Sequence, residues 1–426
     1  MRSIFMTSLA ATLVAFTVTA CGGDASSEDT TTEGTSAVEQ SLGWKHGGAI
    51  LPRLPSTPTV SASTVPENGD VNPYGVAFVP DDFPRGGILR KGDVIVSNFN
   101  NSGNLQGTGT TIVRVNANAS PSLFFQDPAT PGLSTALGVL ERGFVVVGNV
   151  PSTDGSGVCT EGPNGEMENV GNGSLLFIDR KGNIVKTFTS KKFLQGPWDL
   201  TIKDEGSRAK IFVSNVLSGT VTRLDVRIDG DRDSQCDDDN DDNDDNGDDN
   251  DNGDRNRKFK FKGKRRIVIE KETVIASGYL HRCDSAAFVI GPTGLALDEK
   301  RDILYVASTG DNTIFAIRDA SDRRHDAGMG EPIVTDPVHL HGPLALARAR
   351  NGNLISSQGD AINPDPAQPS EIVEFTAKGE FVAQFPIDPS SGSAFGLALD
   401  ERHHKVRLAA VDDAPTANTL NIFVAK

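Results

Sequence analysis

GPTGLALDEKRDILYVASTGDNTIFAI, residues Gly291 to Ile317, reads as three short strands separated by tight turns. Small and apolar residues run through Leu295-Ala296-Leu297 and through Ile303-Leu304-Tyr305-Val306-Ala307. Each run is bounded by Gly, Asp or Asn, the residues that let an extended chain reverse into an antiparallel neighbour. One such unit cannot bury both of its faces, so the reading depends on whether it recurs.

It recurs along the chain. YGVAF (Tyr74 to Phe78), LGVL (Leu137 to Leu140), PWDLTI (Pro197 to Ile202), GPLALA (Gly342 to Ala347) and FGLALD (Phe395 to Asp400) each precede further short β-prone runs. Aligned on the first strand, the units begin at Gly75, Gly138, Asp199, Gly294, Ala345 and Gly396, at steps of 63, 61, 95, 51 and 51 residues. Six four-stranded units of this length predict an all-β, six-bladed propeller with antiparallel blades. The last unit supplies only three strands before Lys426, so the segment TPTVSAST (Thr57 to Thr64) is expected to close the ring as the outer strand of blade six.

At these residues the chain resembles the NHL-repeat propellers. The pattern of Pro, Gly-Leu-Ala, an Asp-containing turn and Leu-Tyr-Val-Ala is best kept in Gly291 to Ile317, and the resemblance covers roughly residues 55–426. It implies a fold more than an activity, because propellers host many unrelated functions.

The 95-residue step contains an acidic insertion, placed at residues 229–263. Residues 229–254 hold fourteen Asp and one Arg, so most of the formal net charge of −16 sits in this one segment. The remainder is near neutral, and nothing in it suggests a nucleic-acid surface. Alternating Asp and Asn suggests calcium as a candidate metal, but the segment lacks the fixed spacing and terminal Glu of calcium loops. A solvated loop with opposed charge blocks is the other reading.

The chain opens on Met1-Arg2, an apolar run from Ile4 to Ala20, and Cys21-Gly22-Gly23. Residues 1–20 have the parts of a secretory signal, and Val18-Thr19-Ala20-Cys21 looks like a bacterial lipobox, with Cys21 as the lipidated residue. Residues 21–48, rich in Thr, Ser and Glu, read as a flexible tether to a propeller spanning 49–426. The expected location is the bacterial cell envelope, attached by lipid. Gly22 after the cysteine points to the outer membrane in resemblance to Gram-negative lipoproteins. No oligomeric state is implied. In an oxidising compartment, Cys159 and Cys283 are the pair placed on one face by the repeat, leaving Cys236 over.

In propellers of this kind, the connections between blades share one face, the top, with the turns between second and third strands. The long loops at 98–109, 149–173, 358–369 and 412–418 fall there, which makes the top the candidate binding face. Tyr74, Trp198, Asp199, Asn98, Asn149, Asn215 and Asp311 are the candidate ligand-binding residues. Asp199 stands where other units have Gly or Ala. Its carboxylate suits a cation or a substrate hydroxyl, or equally the neighbouring backbone amides. Trp198 beside it offers a stacking face. His339 and His341 share a face as a metal pair would, but a zinc site needs further ligands.

No nucleophile elbow, HExxH, CxxC or phosphate-binding Gly loop occurs. QGPWD (Gln195 to Asp199) and the Gly291 to Ser308 stretch are similar to the gluconolactonase-like, calcium-dependent propellers. At the positions where that family has Glu, Asn and Asp as metal ligands, this chain has Gln195, Thr293 and Ser308. The expectation is therefore a binding module for an envelope protein, peptide or glycan. The alternative is a metal-assisted hydrolase or lactonase at the channel mouth.

Overall fold

The computed structural model describes residues 48–150, 152, 159–161, 167–169, 172–229, 266–284, 287–359, 371–390, 392–403, 405–414 and 417–426. Residues 1–47, with Cys21, and residues 230–265, with Cys236 and nearly all of the acidic insertion, lie outside these residues.

Six four-stranded antiparallel sheets form the blades of a propeller. The first five each use four strands in chain order, with inner strands Val71–Phe78, Leu133–Leu140, Pro197–Asp204, Pro292–Asp298 and Pro343–Arg348. In the second blade a separate two-stranded pair, Cys159–Glu161 with Met167–Asn169, comes between its second and third strands. Blade six combines Ala394–Asp400, Arg407–Asp412 and Thr419–Val424 with the N-terminal strand Val60–Ser63, which pairs Val60 with Ile422 and Ser63 with Thr419. The expected closure by the N-terminal segment is thus the observed one, and it gives the last sheet a partner for its otherwise unpaired edge.

The middle strands read as continuous apolar runs, as in Phe144–Asn149, because neighbouring blades bury both faces. Apart from a cluster of rings at the upper end of the axis, each apolar cluster draws on two adjacent blades. Leu140, Phe144 and Phe177 of the second blade pack with Leu200, Ile211 and Leu224 of the third, for example. A segment ahead of the closing strand adds to the cluster between blades five and six: Ile50, Leu51 and Leu54 are buried there. The backbone N–H groups of Ile50 and Leu51 donate to the buried carboxylate of Glu374, each at 2.9 Å to Oε2.

The register corrects one alignment. Leu137 pairs with Val147 as Leu200 pairs with Val213, so Ala136 rather than Gly138 matches Asp199. The inner strand of blade two carries one more residue across its bulge, four steps from Leu133 to Leu137 against three from Pro197 to Leu200.

Small residues at this inner position follow from close approach. A Cβ on Gly396 would lie 1.7 Å from the carbonyl oxygen of Tyr74, and one on Gly294 would lie 2.5 Å from the amide nitrogen of Leu346.

The third strand of blade three ends at Asp229, which pairs with Arg266 at the start of the outer strand. The chain therefore leaves and re-enters the sheet at one point, on either side of the acidic segment.

Candidate functional site

Hydroxyl groups tie successive blades together near the axis. Ser97 Oγ accepts the N–H of Gly75 and donates to the carbonyl of Ser134 in blade two at 2.8 Å. Ser134 Oγ donates to Pro197 of blade three at 2.7 Å, and Ser214 Oγ to Thr293 of blade four at 2.7 Å. Thr293 Oγ1 donates to Pro343 of blade five at 3.0 Å, and Ser357 Oγ donates to Phe395 of blade six. Between blades six and one the contact is instead ring on ring. Phe395 stacks on Tyr74 at 4.8 Å and 16° between planes.

That stack belongs to a layer of rings across the upper end of the axis. Tyr74 lies between Phe395 and Phe99, the latter at 4.7 Å and 8°. Trp198 meets Tyr74 edge-on at 5.7 Å and Phe99 at 5.5 Å, and Phe288 meets Phe99 edge-on at 5.3 Å. The connection between blades three and four forms a short hairpin, Arg282–Asp284 with Phe288–Ile290, which brings Phe288 and Val289 into this layer.

Above the rings is a cavity of about 180 Å³. Tyr74, Trp198 and Phe395 form its aromatic part. Val289 and Leu344 give it apolar walls, while Asn72, Asn100, Asn104, Gln106 and Asp413 give it polar ones. Among the described residues, neither Lys, Arg nor His lines it. Three buried polar atoms on this wall have no hydrogen-bond partner among the described residues: Trp198 Nε1, Asn72 Oδ1 and Asn100 Oδ1. Trp198 is only 2% exposed, so water outside the cavity does not satisfy its N–H.

Asp199 is separated from Trp198 by this arrangement. It lines a second cavity, of about 240 Å³, on the axis among the inner strands. There Asp199 Oδ1 accepts the N–H of Leu200 at 2.8 Å and Oδ2 that of Leu295 at 2.9 Å. Burial raises its pKa to about 7, against the lowering effect of these two hydrogen bonds. Arg348 lines the same cavity and pairs with the buried Asp298 at 2.6 Å.

Asn98, Asn149 and Asn215 are buried where the second strands end. Asn98 Nδ2 donates to the carbonyl of Thr64, Asn149 Oδ1 accepts the N–H of Ser174, and Asn215 Oδ1 accepts that of Gln195. Ser308, Gln358 and Asp412 hold the matching places in the other blades, each opposite the start of its inner strand. None of these three Asn residues lines the upper cavity. Asp311 accepts from Ser308 Oγ at 2.6 Å and from the N–H of Leu280 at 3.0 Å, away from the cavity lining. His339 bonds Asp336 at 2.7 Å and stacks on Phe381 at 3.7 Å, a local structural role.

Cys283 is disulfide-bonded. The side chain of Cys159, its expected partner, lies outside the described residues.

The residues at the calcium-ligand positions of the resemblance do not fit a hard dication. Gln195 Nε2 donates to Lys191 at 3.1 Å, Thr293 Oγ1 to Pro343, and Ser308 Oγ to Asp311. All three are neutral and already engaged, whereas calcium takes six to eight oxygens with several anionic ones. Among the described residues, no group of three or more His, Cys, Asp or Glu side chains is arranged to hold a metal ion.

The residue just before the small inner position is Tyr74, Trp198, Thr293, Leu344 and Phe395 in blades one, three, four, five and six, and all of these but Thr293 line the cavity. An aromatic ring at three of these columns is the sequence signal for Phe395, which reading each unit separately leaves unmarked. Asn72, in the left-handed region at φ 59°, carries no comparable signal.

No protein-family model matches the chain, and no curated protein matches it in sequence. Among solved structures it is similar to a glucose dehydrogenase-type oxidoreductase of Thermus thermophilus, at 11% identity, 85% of this chain, 99% of that one and TM-score 0.46. It is also similar to a gluconolactonase of Xanthomonas campestris, at 13% identity, 85% and 88% coverage and TM-score 0.43. A third is regucalcin, a calcium-binding protein of Agrobacterium tumefaciens, at 10% identity, 85% and 92% coverage and TM-score 0.47. Likeness at this level says nothing about shared chemistry. The class that the strand pairing defines is the six-bladed β-propeller.

Proposed function

We propose that the protein is an exported, lipid-anchored propeller of the NHL-like kind whose top-face cavity binds a protein, peptide or glycan of the cell envelope. The observation that carries this reading is the upper cavity. Its ring-lined base and three unpartnered polar atoms are groups that bind and orient a ligand. Leaving such atoms buried and unpaired costs about 1–3 kcal/mol each, which a complementary ligand recovers. The lipobox-like stretch ending at Cys21 supports a lipid anchor, Gly22 after it supports the outer membrane, and residues 21–48 form the tether.

The test is retention of envelope material by the purified domain and by Leu344→Trp, which fills the cavity from a half-buried wall position. Material held by the unaltered protein and released by the variant is expected. Equal retention by both places binding elsewhere and contradicts the reading. Metal analysis separates the alternative, since stoichiometric, tightly held calcium favours a metal-assisted hydrolase at the channel mouth.

A further inference from the structure

We propose that the upper cavity recognises the acetamido group of an N-acetylated amino sugar. This rests on the top-face binding reading and names its ligand chemistry.

The first constraint is charge. Among the described residues the lining contains no Lys, Arg or His and one carboxylate, Asp413, so none of them offers an anionic ligand a cationic partner. Carboxylates and phosphates are thereby disfavoured.

The second constraint is the set of unpartnered atoms. Trp198 Nε1 can only donate, so the ligand must bring an acceptor to it. Asn100 Nδ2 already donates to Asn104 Oδ1 at 2.8 Å, which leaves Asn100 Oδ1 asking for a donor. Asn72 Oδ1 asks for a second donor. The complement is one acceptor and two donors on an uncharged group.

The third constraint is the apolar wall. Val289, Leu344 and the half-buried Phe395 line the same space, so part of the ligand must be hydrocarbon. An acetamido group combines these properties. Its carbonyl accepts from Trp198, its N–H donates to one Asn, and its methyl packs on the apolar wall. A hydroxyl on the adjoining sugar ring supplies the second donor, and the C–H face of that ring suits Phe395.

Size agrees. A space of about 180 Å³, many times what a single water needs, takes the acetamido group and the near side of the ring. The rest of the sugar and any linked residues then project across the top face.

The experiment is calorimetric titration of the purified domain with N-acetylglucosamine and its β-1,4-linked trimer. Glucose and N-acetylalanine methylamide serve as comparison ligands. Saturable binding of the acetylated sugars is expected, with glucose weaker by at least about tenfold for loss of the amide contacts. Trp198→Phe, which keeps a ring and removes the N–H, should weaken binding by about tenfold. Should that variant not fold, Asn100→Ala reads the same network from the wall. Undetectable binding of both acetylated sugars, equal binding of glucose, or equal affinity in folded variants overturns the proposal. Equal or tighter binding of the peptide amide overturns the sugar assignment. If the sugars fail while envelope material is still retained in the cavity-dependent manner described above, only the acetamido assignment falls. If both fail, the top-face reading falls with it.

Discussion

The carboxylate of Asp199 accepts the backbone N–H of Leu295 at 2.9 Å, across the boundary between the third and fourth blades. Where Gly294 and Gly396 allow backbones to approach directly, this boundary is bridged by a side chain. The bridge is a carboxyl whose pKa burial lifts from 3.8 to about 7.

A pH dependence follows from that shift. Between about pH 4 and 7 the folded protein holds a proton on Asp199 that the unfolded chain has released, so stability falls as pH rises through this window. The full effect is on the order of 4 kcal/mol. Asp199→Asn cannot ionise, although its amide satisfies only one of the two N–H donors. Urea unfolding of both proteins across pH 4–8 should show a shallower decline for the variant. Parallel curves would contradict the assignment.

The number of blades and the closing strand were legible in the sequence, because strand periodicity and turn residues are local signals. The hydroxyl ties were not. Ser97, Ser214 and Ser357 look like ordinary strand residues, and only the ring geometry brings each within reach of the next blade's carbonyl. Trp198 and Asp199 were legible as unusual, but their division between two cavities depends on side-chain direction at the inner-strand bulge. The burial of Asn98, Asn149 and Asn215 follows from their position opposite the first residues of the inner strands, a tertiary relation.

Ser214→Ala should expose the value of one such tie. It removes the acceptor of the Asp199 N–H and the donor to the Thr293 carbonyl, both in the interior. A loss of about 1–3 kcal/mol in unfolding free energy is expected. A change within about 0.5 kcal/mol, the range of an ordinary surface substitution, would show that the tie contributes little.

Ring closure can be tested by truncation. Removing residues up to Ser41 should leave stability unchanged. Removal through Val65 takes away Val60–Ser63 and the buried Ile50, Leu51 and Leu54, and leaves the Glu374 carboxylate without its two backbone donors. Several kcal/mol should be lost, on the order of 1.5–3 kcal/mol for each large apolar side chain removed from the core. Equal melting temperatures for the two truncations would refute the closure as a source of stability.

Anchoring is tested at one atom. Cys21→Ser removes the thiol that lipidation requires, and should move the protein from the membrane to the soluble fraction with its signal uncleaved. Unchanged membrane association would rule out the lipid anchor.

The most direct measurement is the indole ¹H–¹⁵N resonance of Trp198. The chain has two Trp residues, so Trp44→Phe assigns the signal. During titration with soluble envelope glycan fragments, the Trp198 signal should shift saturably, as Nε1 gains its missing acceptor, while Trp44 stays in place in the unaltered protein. A Trp198 signal that does not move as ligand binds, or moves only in step with Trp44, would contradict a ligand site in the upper cavity.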